Sequence, residues 1–484
     1  MMSDLIEYDS LFIGGDWVTP DSSEVITVVS ANTEEVIGRV PEASERDVDR
    51  AVAAARVAFD DPGGWSSWPA ARRAEAMRRL AAALESRGAE IVERVSGQNG
   101  MPRVIGEQLE AMFPATLLRY YADMVENAAT EETRPGLFGG NTLVTRTPAG
   151  VVGAIIPWNF PQALAGFKLA PALAAGCTVV IKPSPETVLD SYLLAEAIEE
   201  AGIPHGVVSI VPGGREIGAY LVAHPQVDKI AFTGSTAAGR SIAKVCGELL
   251  RPVTLELGGK SAAIILDDAD LPASLQNLFG ACLLNNGQAC YLGTRILAPR
   301  SRYDEIVDTF TSFAGALTVG DALDPATQVG PMVSARQRER VEGYIAKGRN
   351  DGARVTTGGG RPKDLDRGWF VEPTVFADVD NATTIAQEEI FGPVLCVIPY
   401  GDVDDAVRIA NDVDYGLGGS VWTTDPDRGL DVARRVNTGT IGINGYLPDP
   451  TAPFGGIKAS GLGRELGPEG LAAYQQIRSV YLDK

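Results

Sequence analysis

The feature that most constrains the fold of this chain is a regular alternation of short apolar strands with helices between residues 151 and 257. The five predicted strands lie at 151–156, 178–182, 207–211, 229–232 and 253–257. Short apolar strands that alternate with helices are typical of a parallel sheet that helices cover on both faces. Because ligands of such sheets bind beyond the carboxyl ends of the strands, we expect the segments that follow these strands to form one crevice.

A second α/β pattern begins after Ser261 with a predicted strand at 262–266. The helices predicted for this part lie at 271–286, 303–316, 333–350 and 403–412. The chain has 484 residues, whereas a single domain usually holds about 100–200 residues. We therefore predict an α/β fold with two doubly wound α/β domains.

Two further segments have the alternating polar and apolar residues of exposed strands. Residues 131–146 contain Pro135 and three glycines and end in an alternating run, which predicts a hairpin that leaves the globular body. Residues 477–482 alternate in the same way. In the N-terminal part we predict a hairpin at 11–19 and helices at 44–59, 69–87, 89–98 and 105–127.

Composition argues against several classes of function. The net charge of −21 and the pI of about 4.6 give an acidic surface, which repels the phosphate backbone of nucleic acids. The N-terminus lacks a basic run followed by an apolar core, and the apolar runs are far shorter than the ~18–20 residues that span a membrane. Five widely spaced cysteines and two histidines argue against a disulfide framework and a metal site. We therefore expect a reduced, cytoplasmic chain without metal, nucleic acid or membrane partners.

The residues best suited to chemistry lie between Thr254 and Arg295. Glu256 ends an apolar strand and is followed by a glycine pair that leaves room for a ligand. Burial at this position should raise the pKa of Glu256 and suit it to act as a general base for water. Cys290 ends a small polar run, in which a thiol can act as a nucleophile. The alternative interpretations are a buried ion pair for Glu256 and an inert core position for Cys290.

Two runs of this stretch, 34 positions apart from Glu256 to Cys290, resemble the signature motifs of the aldehyde dehydrogenase superfamily: Leu255-Glu256-Leu257-Gly258-Gly259-Lys260 and Gly287-Gln288-Ala289-Cys290. The resemblance extends in the expected order from about residue 11 to residue 482. It implies that Cys290 is the nucleophile and that Glu256 activates water. It also implies that Asn159, with the backbone amide of Cys290, holds the substrate oxygen as charge develops. Because family members that transfer the acyl group to coenzyme A typically lack the glutamate, the resemblance implies hydrolysis to a carboxylic acid.

The resemblance also implies a division of the chain into three parts. These are a Rossmann-like NAD-binding domain (1–125 and 148–257), a catalytic domain (258–459) and a small β oligomerisation arm (126–147 and 460–484). We therefore expect a homodimer or a homotetramer.

The cofactor implied by the resemblance is NAD, with NADP as the alternative. The residues expected to bind it are Ile155, Ile156, Pro157, Trp158, Lys182, Gly214, Gly218, Phe232, Gly234, Ser235, Leu257, Gln337, Arg340, Glu389 and Phe391. As in the family, the loop around Gly234 lacks the Gly-x-Gly-x-x-Gly fingerprint. NAD-preferring members often have a glutamate three residues after the lysine that matches Lys182, whereas here Pro185 stands there and Glu186 follows. We expect NAD because Glu186 can repel a 2′-phosphate.

The substrate expected from the resemblance is an apolar aliphatic or aromatic aldehyde. The residues expected to form its tunnel are Phe113, Phe160, Leu164, Phe167, Tyr291, Tyr446 and Phe454, each of which could also be a core residue. Because the set contains no arginine, anionic semialdehydes and phosphorylated substrates are disfavoured. The alternatives are an NADP-preferring semialdehyde dehydrogenase, an enzyme with another acyl acceptor, and a structural relative that binds the dinucleotide without turnover.

Overall fold

The computed structural model describes residues 5–126 and 128–482. The predicted domain ranges also include residues 1–4, 127, 483 and 484, which lie outside the described residues. The strands are β1 (Ile6–Glu7), β2 (Leu11–Ile13), β3 (Asp16–Val18), β4 (Val25–Val29), β5 (Val36–Pro41), β6 (Glu131–Pro135), β7 (Asn141–Pro148), β8 (Val151–Ile155), β9 (Thr178–Lys182), β10 (Val208–Ile210), β11 (Lys229–Thr233), β12 (Val253–Glu256), β13 (Ala262–Ile265), β14 (Arg295–Pro299), β15 (Arg354–Thr357), β16 (Thr374–Ala377), β17 (Val394–Tyr400), β18 (Tyr415–Gly416), β19 (Gly419–Trp422), β20 (Gly442–Ile443), β21 (Ile457–Lys458), β22 (Gly461–Leu462) and β23 (Gln475–Leu482). The α-helices are α1 (Glu45–Asp60), α2 (Ala70–Ser86), α3 (Gly88–Asn99), α4 (Arg103–Gly106), α5 (Phe113–Glu126), α6 (Pro161–Ala175), α7 (Leu189–Glu200), α8 (Arg215–Ala223), α9 (Thr236–Glu248), α10 (Leu271–Cys282), α11 (Tyr303–Ala316), α12 (Ala335–Asn350), α13 (Thr384–Gln387), α14 (Val403–Asn411), α15 (Pro426–Ala433) and α16 (Gly467–Ala472).

An eight-stranded sheet contains the five strands that the apolar pattern predicts. Its order is β22-β12-β11-β8-β9-β10-β2-β3, and the five central strands from β12 to β10 are parallel. The register places Thr233 beside Glu256 and Ile155 beside Lys182. Because these residues end their strands, the loops that follow emerge side by side at one edge, and the predicted crevice is confirmed.

A seven-stranded sheet forms the second α/β layer. Its order is β15-β16-β17-β14-β13-β19-β20, and all of its pairings are parallel except that of β15 with β16. The prediction of two doubly wound α/β units is thus confirmed. Helix α10, predicted to reach residue 286, ends at Cys282, since Leu283 and Leu284 leave helical geometry, and the left-handed Asn285 and Asn286, with φ of 50° and 60°, then form the turn before Cys290.

A separate three-stranded antiparallel sheet joins the predicted hairpin to the C-terminal strand. Its order is β23-β7-β6, and β23 pairs with β7 along its whole length. Residues 461–462, which the predicted arm includes, instead form β22 and pair antiparallel with β12 in the eight-stranded sheet. The strand that joins the hairpin begins later, at Gln475.

The helix predicted at 105–127 differs in structure, because a π-helical segment, Glu107–Met112, lies between α4 and α5. Short π-helical segments within α-helices are often found at functional sites. This segment packs beside α6, the fully buried helix that follows β8. Both elements contribute residues to the lining of the cavity described below.

Candidate active site

Two cavities meet at the carboxyl edge of the eight-stranded sheet. The larger, which we call the cleft, has a volume of about 450 Å³. Its lining residues are Pro157, Trp158, Asn159, Thr233, Gly234, Ser235, Leu257, Gly258, Cys290, Arg336, Gln337, Arg340, Glu389 and Phe391. The smaller, which we call the tunnel, has a volume of about 60 Å³. Its lining residues are Leu109, Phe113, Asn159, Phe160, Ala163, Leu164, Phe167, Thr233, Glu256, Ala289, Cys290, Tyr291, Leu447, Pro448 and Phe454.

Cys290 lies where the cleft and the tunnel meet, because it lines both cavities. The turn before it requires glycine at position 287, where φ is 73° and a Cβ atom would lie 2.2 Å from the carbonyl oxygen of Gly392. Burial, followed by the nearby carboxylates of Glu389 and Glu256, raises the pKa of the Cys290 thiol well above its usual range. The thiol is therefore protonated at neutral pH, and a base is needed before it can act as a nucleophile.

Asn159 also lines both cavities, and its side chain is held against the cysteine turn. Its Nδ2 donates a hydrogen bond of 3.0 Å to the carbonyl oxygen of Gln288. The backbone carbonyl oxygen of Asn159 accepts hydrogen bonds from Nδ2 of Asn285 at 2.9 Å and from Nδ2 of Asn99 at 3.4 Å. Since a carboxamide nitrogen carries two hydrogens, Asn159 can use the second for a substrate oxygen beside Cys290.

Glu256 faces the tunnel from the end of β12. Its side chain is buried, and within the described part of the chain neither carboxylate oxygen has a hydrogen-bond partner. Burial is the largest cause that raises the pKa of Glu256 well above its usual range, and the nearby Glu465 raises it further. Lys168 and Arg464 lower this pKa in part. A carboxyl group with a raised pKa beside an apolar cavity is suited to accept a proton near neutral pH.

A buried ion pair that the sequence did not predict lies beside Glu256. The ammonium group of Lys168, on α6, lies 2.9 Å from Oε1 of Glu465 and donates a hydrogen bond of 2.6 Å to Thr233. Both charged side chains are almost completely buried. Lys168 is the single charged residue in the apolar run of α6, and such a residue requires a buried partner. That partner comes from the C-terminal segment, which no local pattern connects to α6.

The tunnel is apolar, as expected from the sequence. Six of the seven predicted residues line it, and Phe167 links Phe113 and Phe454, with ring centroids 5.7 Å and 6.1 Å apart. Tyr446 lies behind this lining and packs its ring edge-on against Tyr291 at 5.0 Å. Among the described residues, Glu256 is the only charged side chain of the lining. The tunnel therefore favours an uncharged, apolar ligand.

A model of the aldehyde dehydrogenase family matches residues 17–480 of the chain. The chain belongs to the aldehyde dehydrogenase family. A curated relative, the geranial dehydrogenase of Castellaniella defragrans, is 59% identical over 477 residues, which cover 99% of each chain. The solved structure of Mycobacterium tuberculosis aldehyde dehydrogenase complexed with NAD⁺ has a TM-score of 0.97 at 52% identity, with 99% of both chains covered. A mutant of aldehyde dehydrogenase C from Pseudomonas syringae, complexed with NAD⁺ and octanal, has a TM-score of 0.94 at 38% identity; 98% of this chain and 96% of that chain are covered.

Nine of the predicted cofactor residues of this aldehyde dehydrogenase line the cleft, and Arg336 is a lining residue that was not predicted. Gln337 donates a hydrogen bond of 2.7 Å to the carbonyl oxygen of Phe391, and Arg340 donates one of 2.6 Å to that of Glu389. The carboxylate of Glu389 accepts a hydrogen bond of 3.0 Å from the amide of Gly259, and burial raises its pKa to about 7. These contacts hold the segment around Glu389 over one end of the cleft.

The other predicted cofactor residues lie outside the cleft lining. Ile155, Ile156 and Phe232 are buried in and beside the strand ends. Lys182 donates hydrogen bonds to the carbonyl oxygens of Pro183 at 2.8 Å and Gly213 at 2.6 Å, and burial lowers its pKa to about 8. Gly218 lies against the stem of this lysine, where a Cβ atom would be 3.3 Å from its Cδ.

Glu42, which the sequence did not single out, lies near Lys182. Its carboxylate accepts a hydrogen bond of 2.8 Å from the amide of Gly214, the residue that precedes α8. Glu186 accepts a hydrogen bond of 2.5 Å from the hydroxyl of Ser184. Both carboxylates contribute to the electrostatic environment of Lys182. In the sequence, Glu42 could have been singled out only as an acidic residue that directly follows a strand.

Two expectations drawn from composition concern a metal site and a membrane-spanning segment. Among residues 5–126 and 128–482, no group of three or more histidine, cysteine, aspartate or glutamate side chains is arranged to hold a metal ion. In the same residues, every helix is too short or too polar to cross a membrane.

Proposed function

We propose that this chain oxidises an apolar aldehyde to the carboxylic acid with NAD, through a thioester on Cys290. The observation that carries the proposal is the meeting of the cleft and the tunnel at Cys290 and Asn159, with Glu256 beside them. Such an arrangement lets an aldehyde carbon reach the thiol from one side and the cofactor from the other.

The cleft residues fit a dinucleotide. Helix α9 begins directly after Gly234 and Ser235, and the backbone amides of its first turn can donate hydrogen bonds to a phosphate. Gly258 also lines the cleft, where a Cβ atom would lie only 2.4 Å from the carboxylate of Glu389, so this side chain can pack directly against the backbone. NAD supplies a hydride acceptor, and the chain supplies its position. The solved structures of two relatives with NAD⁺ support this choice of cofactor.

The chain's own residues carry the remaining chemistry. The thiol proton of Cys290 leaves to solvent through the cleft, and the sulfur bonds to the aldehyde carbon while Glu256 stays ionised. Nδ2 of Asn159 and the amide of Cys290 donate hydrogen bonds to the resulting oxyanion. Loss of hydride from the same carbon leaves the thioester. Glu256 then takes a proton from water, whose oxygen bonds to the thioester carbon and displaces the sulfur of Cys290 as the acid forms.

The proposed substrate is an apolar aldehyde because the tunnel offers aromatic and aliphatic surface and, in the described residues, no cation for an anionic substrate. A geranial dehydrogenase and a relative bound to octanal support this class. NAD is proposed over NADP because Glu42 and Glu186 add negative charge near Lys182, where a 2′-phosphate would be repelled.

We also propose that the three-stranded sheet joins copies of the chain into a dimer or tetramer. At the tip of its hairpin, Leu137 and Phe138 are 98% and 99% exposed. Side chains of this size and exposure at the end of a projecting hairpin favour a protein partner.

The test is the initial rate of NADH formation over straight-chain, branched and aromatic aldehydes and a carboxylate-bearing semialdehyde, with NAD and with NADP. We expect turnover of the apolar aldehydes with NAD and little turnover of the semialdehyde. Cys290→Ala should abolish turnover and still bind NAD, whereas Glu256→Gln should release a first equivalent of NADH and then stall with the acyl group on Cys290. Absence of turnover with every aldehyde in fresh, reduced protein would refute the proposal.

A further inference from the structure

Helix α6 begins at the tunnel without a cap of its own. Its N-cap residue is Phe160, whose side chain lines the tunnel and has no hydrogen-bond acceptor. The first amides of a helix need acceptors, which a polar N-cap residue usually provides. Here the acceptor comes from another element, because Oε2 of Glu110 accepts a hydrogen bond of 2.7 Å from the amide of Gln162.

Glu110 is completely buried and belongs to the π-helical segment Glu107–Met112. Leu109 of that segment and Phe113, which follows it, line the tunnel. Helix α6 contributes Leu164 and Phe167 to the same lining, and the ring centroids of Phe113 and Phe167 are 5.7 Å apart. The hydrogen bond from Gln162 to Glu110 therefore joins two elements of the tunnel lining directly.

The start of α6 also has support that does not depend on Glu110. Nε2 of Gln162 donates a hydrogen bond of 2.7 Å to the carboxylate of Asp190, and Gln98 donates one of 3.0 Å to the other oxygen of that carboxylate. Loss of Glu110 should thus leave α6 and Asn159 in place and release the π-helical segment from α6. We therefore expect the width of the tunnel to change while the groups around the reacting atoms keep their positions.

We infer that Glu110 is a positioning residue for substrate selection, which sets the width of the tunnel by tying the π-helical segment to the first turn of α6. This inference rests on the proposed function, since it assumes that the tunnel holds the apolar chain of the aldehyde. Glu110 itself lies behind the tunnel wall and takes no part in bond formation.

The test compares kcat/KM for octanal and propanal in the wild type and in Glu110→Ala. Each methylene group of octanal that no longer packs against the tunnel wall lowers affinity about fourfold, so two such groups lower the octanal-to-propanal ratio roughly 15-fold. The change should appear in the KM for octanal, with kcat and the values for propanal nearly unchanged. Glu110→Gln keeps a carbonyl acceptor for Gln162 and should restore most of the ratio. Glu107→Ala is the matched control, since Glu107 lies in the same segment but is exposed and pairs with Arg103.

The inference would be overturned by an unchanged ratio in Glu110→Ala, or by an equal loss for both aldehydes through kcat. An equal effect of Glu110→Gln and Glu110→Ala would also contradict it, because the acceptor would then be irrelevant. If Glu110→Ala does not fold, Glu110→Asp replaces it, since the shorter side chain withdraws the carboxylate from Gln162. A wild type that turns over no aldehyde refutes the proposed function, whereas active variants with unchanged ratios refute only the role of Glu110.

Discussion

Replacing Glu465 with glutamine tests how the buried ion pair controls Glu256. Glu465 raises the pKa of Glu256 and Lys168 lowers it. The substitution removes the negative charge and leaves the ammonium group of Lys168, which still contacts Thr233. The pKa of Glu256 should therefore fall, because the charge that raises it is gone and the charge that lowers it remains. Because Glu256 can remove a proton from water only when it is ionised, the acidic limb of the pH–rate profile should move to lower pH.

The size of the shift follows from the local charges. An opposite charge within about 4–6 Å of a carboxyl group shifts its pKa by about one to three units, and a like charge acts in the other direction. Since burial, which the substitution leaves in place, is the larger cause of the raised pKa of Glu256, we expect the lower end, about one unit or 1.4 kcal/mol. The same substitution breaks an ion pair whose side chains are 0% and 1% exposed. Breaking a buried pair costs about 3–5 kcal/mol of stability, so the melting temperature should fall.

The assay is the pH dependence of kcat, with the pre-steady-state burst of NADH measured in parallel. A burst of normal rate shows that the steps before thioester hydrolysis are intact. The double variant Lys168→Met/Glu465→Gln is the control, because it removes both charges and should return the acidic limb towards the wild-type position. An unchanged limb in Glu465→Gln would refute the electrostatic coupling, and so would a limb shifted equally in the double variant.

Three further predictions concern the cofactor and the assembly. Glu42→Gln keeps an oxygen acceptor for the amide of Gly214 and removes a negative charge near Lys182; it should lower the Kd for NADP about tenfold in calorimetry, with that for NAD little changed, and an unchanged NADP affinity would contradict the role of Glu42. The pKa of Glu389 is about 7, and its ionised form is the better acceptor for ribose hydroxyls, so NAD should bind fully above that pH and more weakly as pH falls below it; Glu389→Gln should abolish this dependence. Leu137→Asp/Phe138→Asp, at the exposed hairpin tip, should yield smaller species in sedimentation with unchanged circular dichroism, and unaltered sedimentation would rule out the tip as an assembly contact.

Helices and strands of this fold were predicted well where a single local signal, such as a helix cap or an apolar strand, determines the structure. The helix predicted at 44–59 is α1, which Ser44 caps in a reciprocal capping box with Asp47 of its acidic first turn. The five apolar strands form the parallel centre of the eight-stranded sheet. Because parallel register aligns strand ends, the crevice was predictable before any contact was known.

The contacts between distant segments could not be predicted in this way. Lys168 and Glu465 are 297 positions apart, and Glu110 reaches Gln162 across 52 positions. No periodicity or spacing connects such pairs, since only the packing of whole elements brings them together. The π-helical segment was missed for a related reason, because the helical pattern of 105–127 does not show where an extra residue widens the turn.

Three residues that break local rules lie at or beside the junction of the cleft and the tunnel. Phe160 occupies an N-cap position that a polar residue would fill better, Glu256 is buried with no hydrogen-bond partner among the described residues, and Lys168 lies in an apolar helix. Each departure lowers stability by itself. In the proposed mechanism each also supplies something that aldehyde oxidation needs: an apolar wall, a base of raised pKa, and a charge that tunes that base. Stability lost at these positions is recovered by distant partners such as Glu110 and Glu465, so those partners are where we expect activity and stability to change together.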